Sequence, residues 1–328
     1  MTTRLLAVLF VLALGGARAE PPPFFARSLL HAHNCYPDEG KWADRIDRAL
    51  AIGLRPIAIE QDIAWVTDSD GVGRSVVAHA APATGREPSL ESYFFEKLRP
   101  VMENALATPR PDNWPLVVLH LDFKTNEGAH HRAIWELLGR HEGWLTTAPR
   151  VAGDATQPFT PGPLLVLTEN GAGQSAVFYD EVPVGGRLRI FGTVPPAVLT
   201  SSTDREAQWD AAINASPETL IPSGTTNYRR WINFPWMVVE RGGQARAADW
   251  TTADDRRLRS IVSRAHGLGL WVRFYTLSGH SPDGGQGWTA SYNFGSLDAV
   301  QPRWRAAIAA GIDFIATDQY EELAAYLK

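Results

Sequence analysis

Cys35 is the only cysteine in the chain of 328 residues, so no internal disulfide is available and stability must come from the core. That leaves the thiol two roles, a buried small residue or a free reactive group. Long apolar runs are also scarce. The run Leu5 to Leu14 is about ten residues, roughly half of what a membrane-spanning helix needs, and Gly15 and Gly16 interrupt it. No later segment is long enough to span a bilayer. Basic residues number 31 against 36 acidic ones, a balance that argues against a nucleic-acid partner. Heptads and sequence repeats are absent.

The early apolar run does have flanks with a meaning. Arg4 precedes it and Ala17, Arg18 and Ala19 follow it, the pattern of a secretory signal peptide with its cleavage site. Residues 1–19 are thus expected to be an address label, the mature chain to begin at Glu20, and the protein to be secreted or periplasmic. Losing Arg4 and Arg18 but no acid leaves 29 bases against 36 acids, a net charge of -7. The remaining 20–328 segment has the size of one barrel domain.

Short apolar runs of strand length recur between helix-like stretches: Leu29 to His33, Pro56 to Ile63, Leu116 to Lys124, Leu164 to Glu169, Arg189 to Val194, Phe234 to Val239, Leu270 to Leu277 and Asp313 to Asp318. Eight strands apolar on both faces, alternating with helices, predict a parallel (β/α)8 TIM barrel. Leu258, Ile261, Val262 and Ala265 form a helical stripe after Thr252 and Asp254 as caps, with Gly267 as a stop. Ile134, Leu137 and Leu138 give a second stripe, and Glu322 to Leu327 reads as a closing helix. Three long loops are expected, Thr67 to Arg86, Thr200 to Asn233 and Ser278 to Leu297, all near strand ends on the face where barrel sites sit.

Residues two apart on a strand share a face. His31 with His33, Glu60 with Asp62, and Asp122 with Lys124 therefore send three polar pairs from consecutive strands into the barrel mouth. Carboxylates crowded there need a cation. Glu60, Asp62 and Asp122 with the Asn34 amide make a hard oxygen set suited to Mg²⁺ or Ca²⁺ rather than zinc. On the seventh strand Trp271, Arg273 and Tyr275 share a face. Arg273 and Tyr275 either bind the substrate, or Tyr275 fills the barrel while Arg273 pairs with an acid such as Glu240. Glu169 and Asn170 line the pocket or, preferably, cap a turn.

The remaining histidines read as bystanders. His120 is expected in the core, His130, His131 and His141 in solvent, and His266 at a helix end with its dipole. His280, Trp288 and Tyr292 are candidates for a lid over the substrate.

"AHNCY", "IEQDI", "VVAHA", "LDFKT" and the tail "AGIDFIATDQYEEL" together resemble the phospholipase C-like phosphodiesterases. That (β/α)8 superfamily includes glycerophosphodiester phosphodiesterases, phosphatidylinositol-specific phospholipases C and spider sphingomyelinases D. The "HAHN" opening is nearest a poorly characterised subgroup similar to a yeast mitochondrial-inheritance protein, and the overlap runs from about Leu29 to Lys328. The resemblance implies that His33 and His79 are the acid/base pair, that Asn34, Glu60, Asp62 and Asp122 approach the metal, and that Lys124 contacts a phosphate. His-x-x-Asn from His31 matches the sphingomyelinases and His-Asn from His33 the phospholipases C, so His31 either replaces His33 or helps to orient the substrate. The expected function is a secreted, metal-dependent phosphodiesterase acting on a small-molecule or lipid phosphodiester. A glycoside hydrolase and a barrel that binds a ligand without turnover are the alternatives. Departures from the family pattern are the absence of His-Arg-Gly at the first strand and of Asp after His79, where Ala80 stands.

Overall fold

The computed structural model describes residues 28–38, 41–79, 81–198, 204–241, 247–281 and 293–328. The proposed signal peptide lies outside them. Eleven strands are present among these residues: β1 (Leu29–Ala32), β2 (Ile57–Thr67), β3 (Gly73–Val77), β4 (Val117–Phe123), β5 (Ala148–Pro149), β6 (Leu164–Thr168), β7 (Arg187–Leu188), β8 (Phe191–Thr193), β9 (Arg229–Pro235), β10 (Trp271–Tyr275) and β11 (Phe314–Thr317). The helices are α1 (Arg45–Ala51), α2 (Glu96–Ala107), α3 (Gly128–Arg140), α4 (Arg205–Asn214), α5 (Pro217–Leu220), α6 (Thr252–Gly267), α7 (Leu297–Ala310) and α8 (Tyr320–Leu327).

Eight strands pair in parallel in the order β1-β2-β4-β6-β8-β9-β10-β11, and β11 returns to β1, closing a (β/α)8 barrel. Closure leaves the barrel strands without a free edge, apart from the antiparallel β3 added to β2 and a separate β5-β7 pair. Alternation along each strand divides the core in two. Outward residues such as Ile59, Leu119, Val166, Ile232 and Val272 pack into the large cluster shared with the helices. Inward residues Leu29, Ala58, Val118, Leu165, Trp231, Trp271 and Phe314 form the apolar floor of the barrel.

Two residues further along β1, β2, β4, β9 and β10 the interior becomes polar, with His31, Glu60, His120, Asn233 and Arg273, and two further again lie His33, Asp62, Asp122 and Tyr275. Register makes these layers meet: Glu60 stands beside His120 and Asp62 beside Asp122. Arg273 stands beside Asn233.

Where the structure departs from the expected elements, a local cause is visible. The sixth barrel strand is Arg229–Pro235, not Phe234 to Val239, because Pro235 has no N–H to continue a ladder and Trp236–Val238 turns as a 3-10 segment. The stretch from Thr67 to Arg86 is not one loop: β2 runs to Thr67 and folds back as β3, with Asp68 Oδ1 accepting from the N–H groups of Asp70 and Val72 to set the turn. The region Thr200 to Asn233 contains α4, α5 and most of β9. The N-cap of α6 is Thr251, in a capping box with Asp254. Cys35 is fully buried, and burial pushes its thiol up to about 12, so it serves as packing. No helix among the described residues is long and apolar enough to cross a membrane.

Candidate active site in the barrel mouth

A cavity of about 320 Å³ opens at the C-terminal ends of the barrel strands, lined by His33, Asn34, Glu60, Asp62, His79, Asp122, Lys124, Glu169, Asn233, Arg273 and Tyr275. All the sequence-derived site residues are on this wall except His31. His31 lies one layer below, buried, with Nδ1 accepting from Arg273 Nε at 2.6 Å. Burial first, and then the Arg273 charge, depress its basicity, so it is a neutral support for the guanidinium rather than a substrate contact.

Glu60, Asp62 and Asp122 each present an oxygen within 4.8 Å of the others. Their surroundings differ. Glu60 Oε1 accepts from Arg273 Nη2 at 2.9 Å and Oε2 accepts from the Asn34 N–H at 2.9 Å. Burial opposes its charge, but Arg273 and then His33 prevail and hold its carboxyl well below the usual range. Asp62 goes the other way. Burial and the neighbouring Asp122 push it well above the usual range, although Lys124 Nζ lies 2.8 Å from its Oδ2. The same ammonium donates to Asp122 Oδ2 at 2.8 Å, and the two carboxylates, outweighing the cost of burial, raise its basicity.

This cluster is short of positive charge even with Lys124 in place, and its donors are all carboxylate oxygens. A hard divalent cation fits both facts. Asn34 adds a carboxamide oxygen that also lies 2.7 Å from the Tyr36 hydroxyl, which is itself 2.7 Å from Asp62 Oδ2. Its left-handed backbone, with φ of 50°, turns the chain at the end of β1.

The two histidines arrive from different directions. His33 ends β1, with Nε2 3.6 Å from Glu60 Oε2 and Nδ1 3.3 Å from Asp318 Oδ1. His79 follows β3, where the Ala78 N–H donates to the Asp62 carbonyl at 3.0 Å and fixes the segment beside the carboxylates. Its ring stacks against Tyr36 at 6.3 Å. Burial, then Lys124, lower its pKa, so it stands as a neutral imidazole.

Three further residues belong to this constellation. Asp318, at the end of β11, accepts from Asn34 Nδ2 at 3.0 Å and Arg45 Nη1 at 3.3 Å. Although burial opposes its charge, His33 and Arg45 hold its carboxyl below the usual range. Glu169 lies on the cavity wall rather than capping a turn, and its Oε1 accepts from Asn233 Nδ2 at 2.7 Å and from His120 Nε2 at 3.0 Å. His120 is buried as expected, yet it is a bridge, since its Nδ1 is 3.3 Å from Glu60 Oε1.

Other expectations are corrected. Arg273 does pair with an acid, as one of its two readings had it, but the acid is Glu60 rather than Glu240, which is taken by Arg303. His130 and His131 are fully buried and His141 nearly so: Ser75 of β3 reaches His130 Nε2 at 2.9 Å, His131 packs against Phe123 and Phe178, and His141 lies against Phe95 and Trp144. His266 lies in the last turn of α6, as expected, and its Nε2 also bonds Asp313 Oδ2 at 2.9 Å. Trp288 and Tyr292 lie outside the described residues.

No family model matches the chain, and no curated protein does. Among the solved structures that align are several of HPPK-DHPS. The wild-type enzyme of Plasmodium falciparum with pterin and p-hydroxybenzoate aligns at 8% identity and a TM-score of 0.43, over 92% of this chain and 47% of that one. HPPK-DHPS in complex with substrates aligns at 10% identity and a TM-score of 0.42, over 92% and 48%. The chain thus spans about half the length of the solved chains it matches.

The expected kinship with phospholipase C-like phosphodiesterases is corrected: no family model and no curated relative carries it. The reading as a phosphoric diester hydrolase of lipid metabolism falls with it. The physical reason lies in the motifs. His-Asn, Glu-x-Asp and Asp-x-Lys are short, and inward alternation at barrel strand ends produces such polar pairs whatever the reaction.

Proposed function

We propose that the barrel mouth is the active site of an enzyme that holds Mg²⁺ or Ca²⁺ and transfers protons on a small, polar, oxygen-rich molecule. The observation that carries this reading is the convergence of Glu60, Asp62 and Asp122 within 4.8 Å in a cavity that also exposes His33 and His79. Glu60, Asp62 and Asp122 would hold the cation, with Asn34 Oδ1 in reach of the same centre. Such a cation polarises a ligand oxygen and eases loss of its proton.

The chain's own groups account for the remainder. His79, kept neutral, accepts a proton from the ligand, and His33 returns one from the other side, its ring oriented by Asp318. Lys124 stands beside the carboxylates to meet an oxygen that gains negative charge. Arg273 holds Glu60 in place, His31 supports Arg273 from below, and Tyr275 gives the cavity an aromatic wall.

Calorimetric titration with MgCl₂ and with CaCl₂ tests the cation. Wild-type protein should bind at least one of them, and Glu60→Gln and Asp122→Asn should each weaken that binding at least tenfold. Unchanged affinity in both variants would overturn the assignment. A screen of small oxygen-rich metabolites for EDTA-sensitive turnover supplies the activity, which His33→Ala and His79→Ala should each abolish with the cation still bound.

A further inference from the structure

The side of the cavity away from His79 carries groups that cation binding and proton transfer do not use. Glu169, at the end of β6, has its Oε1 filled by Asn233 Nδ2 and His120 Nε2. Its side chain is 27% exposed, and no partner of Oε2 is present among the described residues. Asn233 on β9 donates one N–H to Glu169, and its Oδ1 accepts from Arg273 Nη1 at 3.0 Å. One amide N–H and one carbonyl lone pair remain on Asn233, and both residues face the cavity.

We infer that Glu169 and Asn233, braced by Arg273, form a hydroxyl-binding subsite, and that the natural ligand places a neutral hydroxyl against it. The choice of group follows from what is left over. The open positions are an anionic acceptor beside an N–H donor, and a hydroxyl is the small neutral group that donates to the first while accepting from the second. A second anion at this end would face the Glu169 charge, and an apolar group would strand both polar residues without partners. Glu169 cannot turn away readily, because its other oxygen is held from two strands. The ligand is thereby bifunctional: one end supplies oxygen to the carboxylate cluster, the other a hydroxyl to β6 and β9. Sites built to bond a hydroxyl discriminate strongly against analogues that lack it.

This subsite rests on the cavity being the ligand site, and its test is separable from the cation test. The probe is erythritol, followed by saturation-transfer NMR in the presence of MgCl₂, with 1-butanol as the control of equal carbon number. Erythritol should bind saturably and 1-butanol should not. Glu169→Gln and Asn233→Ala should each weaken erythritol at least tenfold while Mg²⁺ affinity by calorimetry stays near wild type and the circular-dichroism spectrum shows the fold retained. Erythritol binding that is absent in the wild type, or equal in the wild type and both variants, would overturn the subsite. Erythritol binding through Glu169 in a protein that fails to bind Mg²⁺ would keep the subsite and sink the cation.

Discussion

Arg273 lies between Glu60 and His31, donating through Nη2 to the carboxylate at 2.9 Å and through Nε to the imidazole at 2.6 Å. With its third bond, from Nη1 to Asn233 Oδ1 at 3.0 Å, one planar fork ties β10 to β1, β2 and β9 across the barrel interior. Both Arg273 and Glu60 are almost wholly buried. Such a pair adds little over an apolar replacement of both members, but breaking it strands a charge.

Arg273→Gln should therefore destabilise the protein by about 3–5 kcal/mol, the cost of an uncompensated buried carboxylate. Arg273→Lys should recover only part, since an ammonium cannot reproduce three bonds in fixed directions. Urea denaturation at neutral pH measures both. A loss below about 1 kcal/mol for Arg273→Gln, smaller than the cost of an unmet buried hydrogen bond, would show that Glu60 does not depend on this partner.

The barrel was legible because its strands are apolar on both faces, and the pairs His31 with His33, Glu60 with Asp62, and Asp122 with Lys124 were legible because alternation aims both members inward. Glu169 and Asp318 were harder, being single acids at strand ends whose partners lie 64 and 284 residues away in Asn233 and Asn34. Asn233 was hidden by the apolar run that follows it, which drew the sixth strand past Pro235. The burial of His130 depends on β3 returning over α3, and that of His131 on Phe123 and Phe178, contacts that no helical period encodes. Their neighbours on α3, Ile134, Leu137 and Leu138, were placed correctly from the period alone.

His266 and Asp313 give a pH dependence away from the cavity. The bond to Asp313 raises the His266 pKa despite some burial, whereas burial outweighs that same bond and raises the Asp313 carboxyl above its ordinary value. A histidine raised on folding contributes stability that is fully present below about pH 6.5, its unfolded value, and lost as pH rises through its folded value. The raised Asp313 has the opposite sense, weakening the fold as it ionises above about pH 4, so it does not set the slope in the alkaline window. Depressed histidines such as His79 and His130 act below their unfolded pKa, which leaves His266, the buried His120, also raised, and the strongly raised Asp62 to govern the range above it. The melting temperature should fall between pH 6.5 and 8.5, and His266→Gln should flatten that slope in part. Its side chain is 38% exposed, so the effect should be small, about 0.5 kcal/mol or less. An identical slope in the variant would remove His266 from the account.

Lys124 and a divalent cation are drawn to the same oxygens. Its ammonium lies 2.8 Å from Asp62 Oδ2 and 2.8 Å from Asp122 Oδ2, so it relieves part of the repulsion that burial and Asp122 impose on Asp62. Lys124→Met removes that relief and leaves two carboxylates facing each other. Because Lys124 and Asp122 are partly exposed, the cost without added cation should be about 1–3 kcal/mol rather than the full penalty for a dry broken pair. Added cation should then stabilise the variant more than the wild type, since it no longer displaces an ammonium. Binding at a hundredfold excess over the dissociation constant stabilises by about 2.7 kcal/mol, which a melting curve resolves. The decisive measurement is the shift in melting temperature on adding CaCl₂ or MgCl₂ to the EDTA-treated proteins. A larger shift in Lys124→Met is expected; an equal or smaller one would mean that Lys124 and the cation do not share these carboxylates.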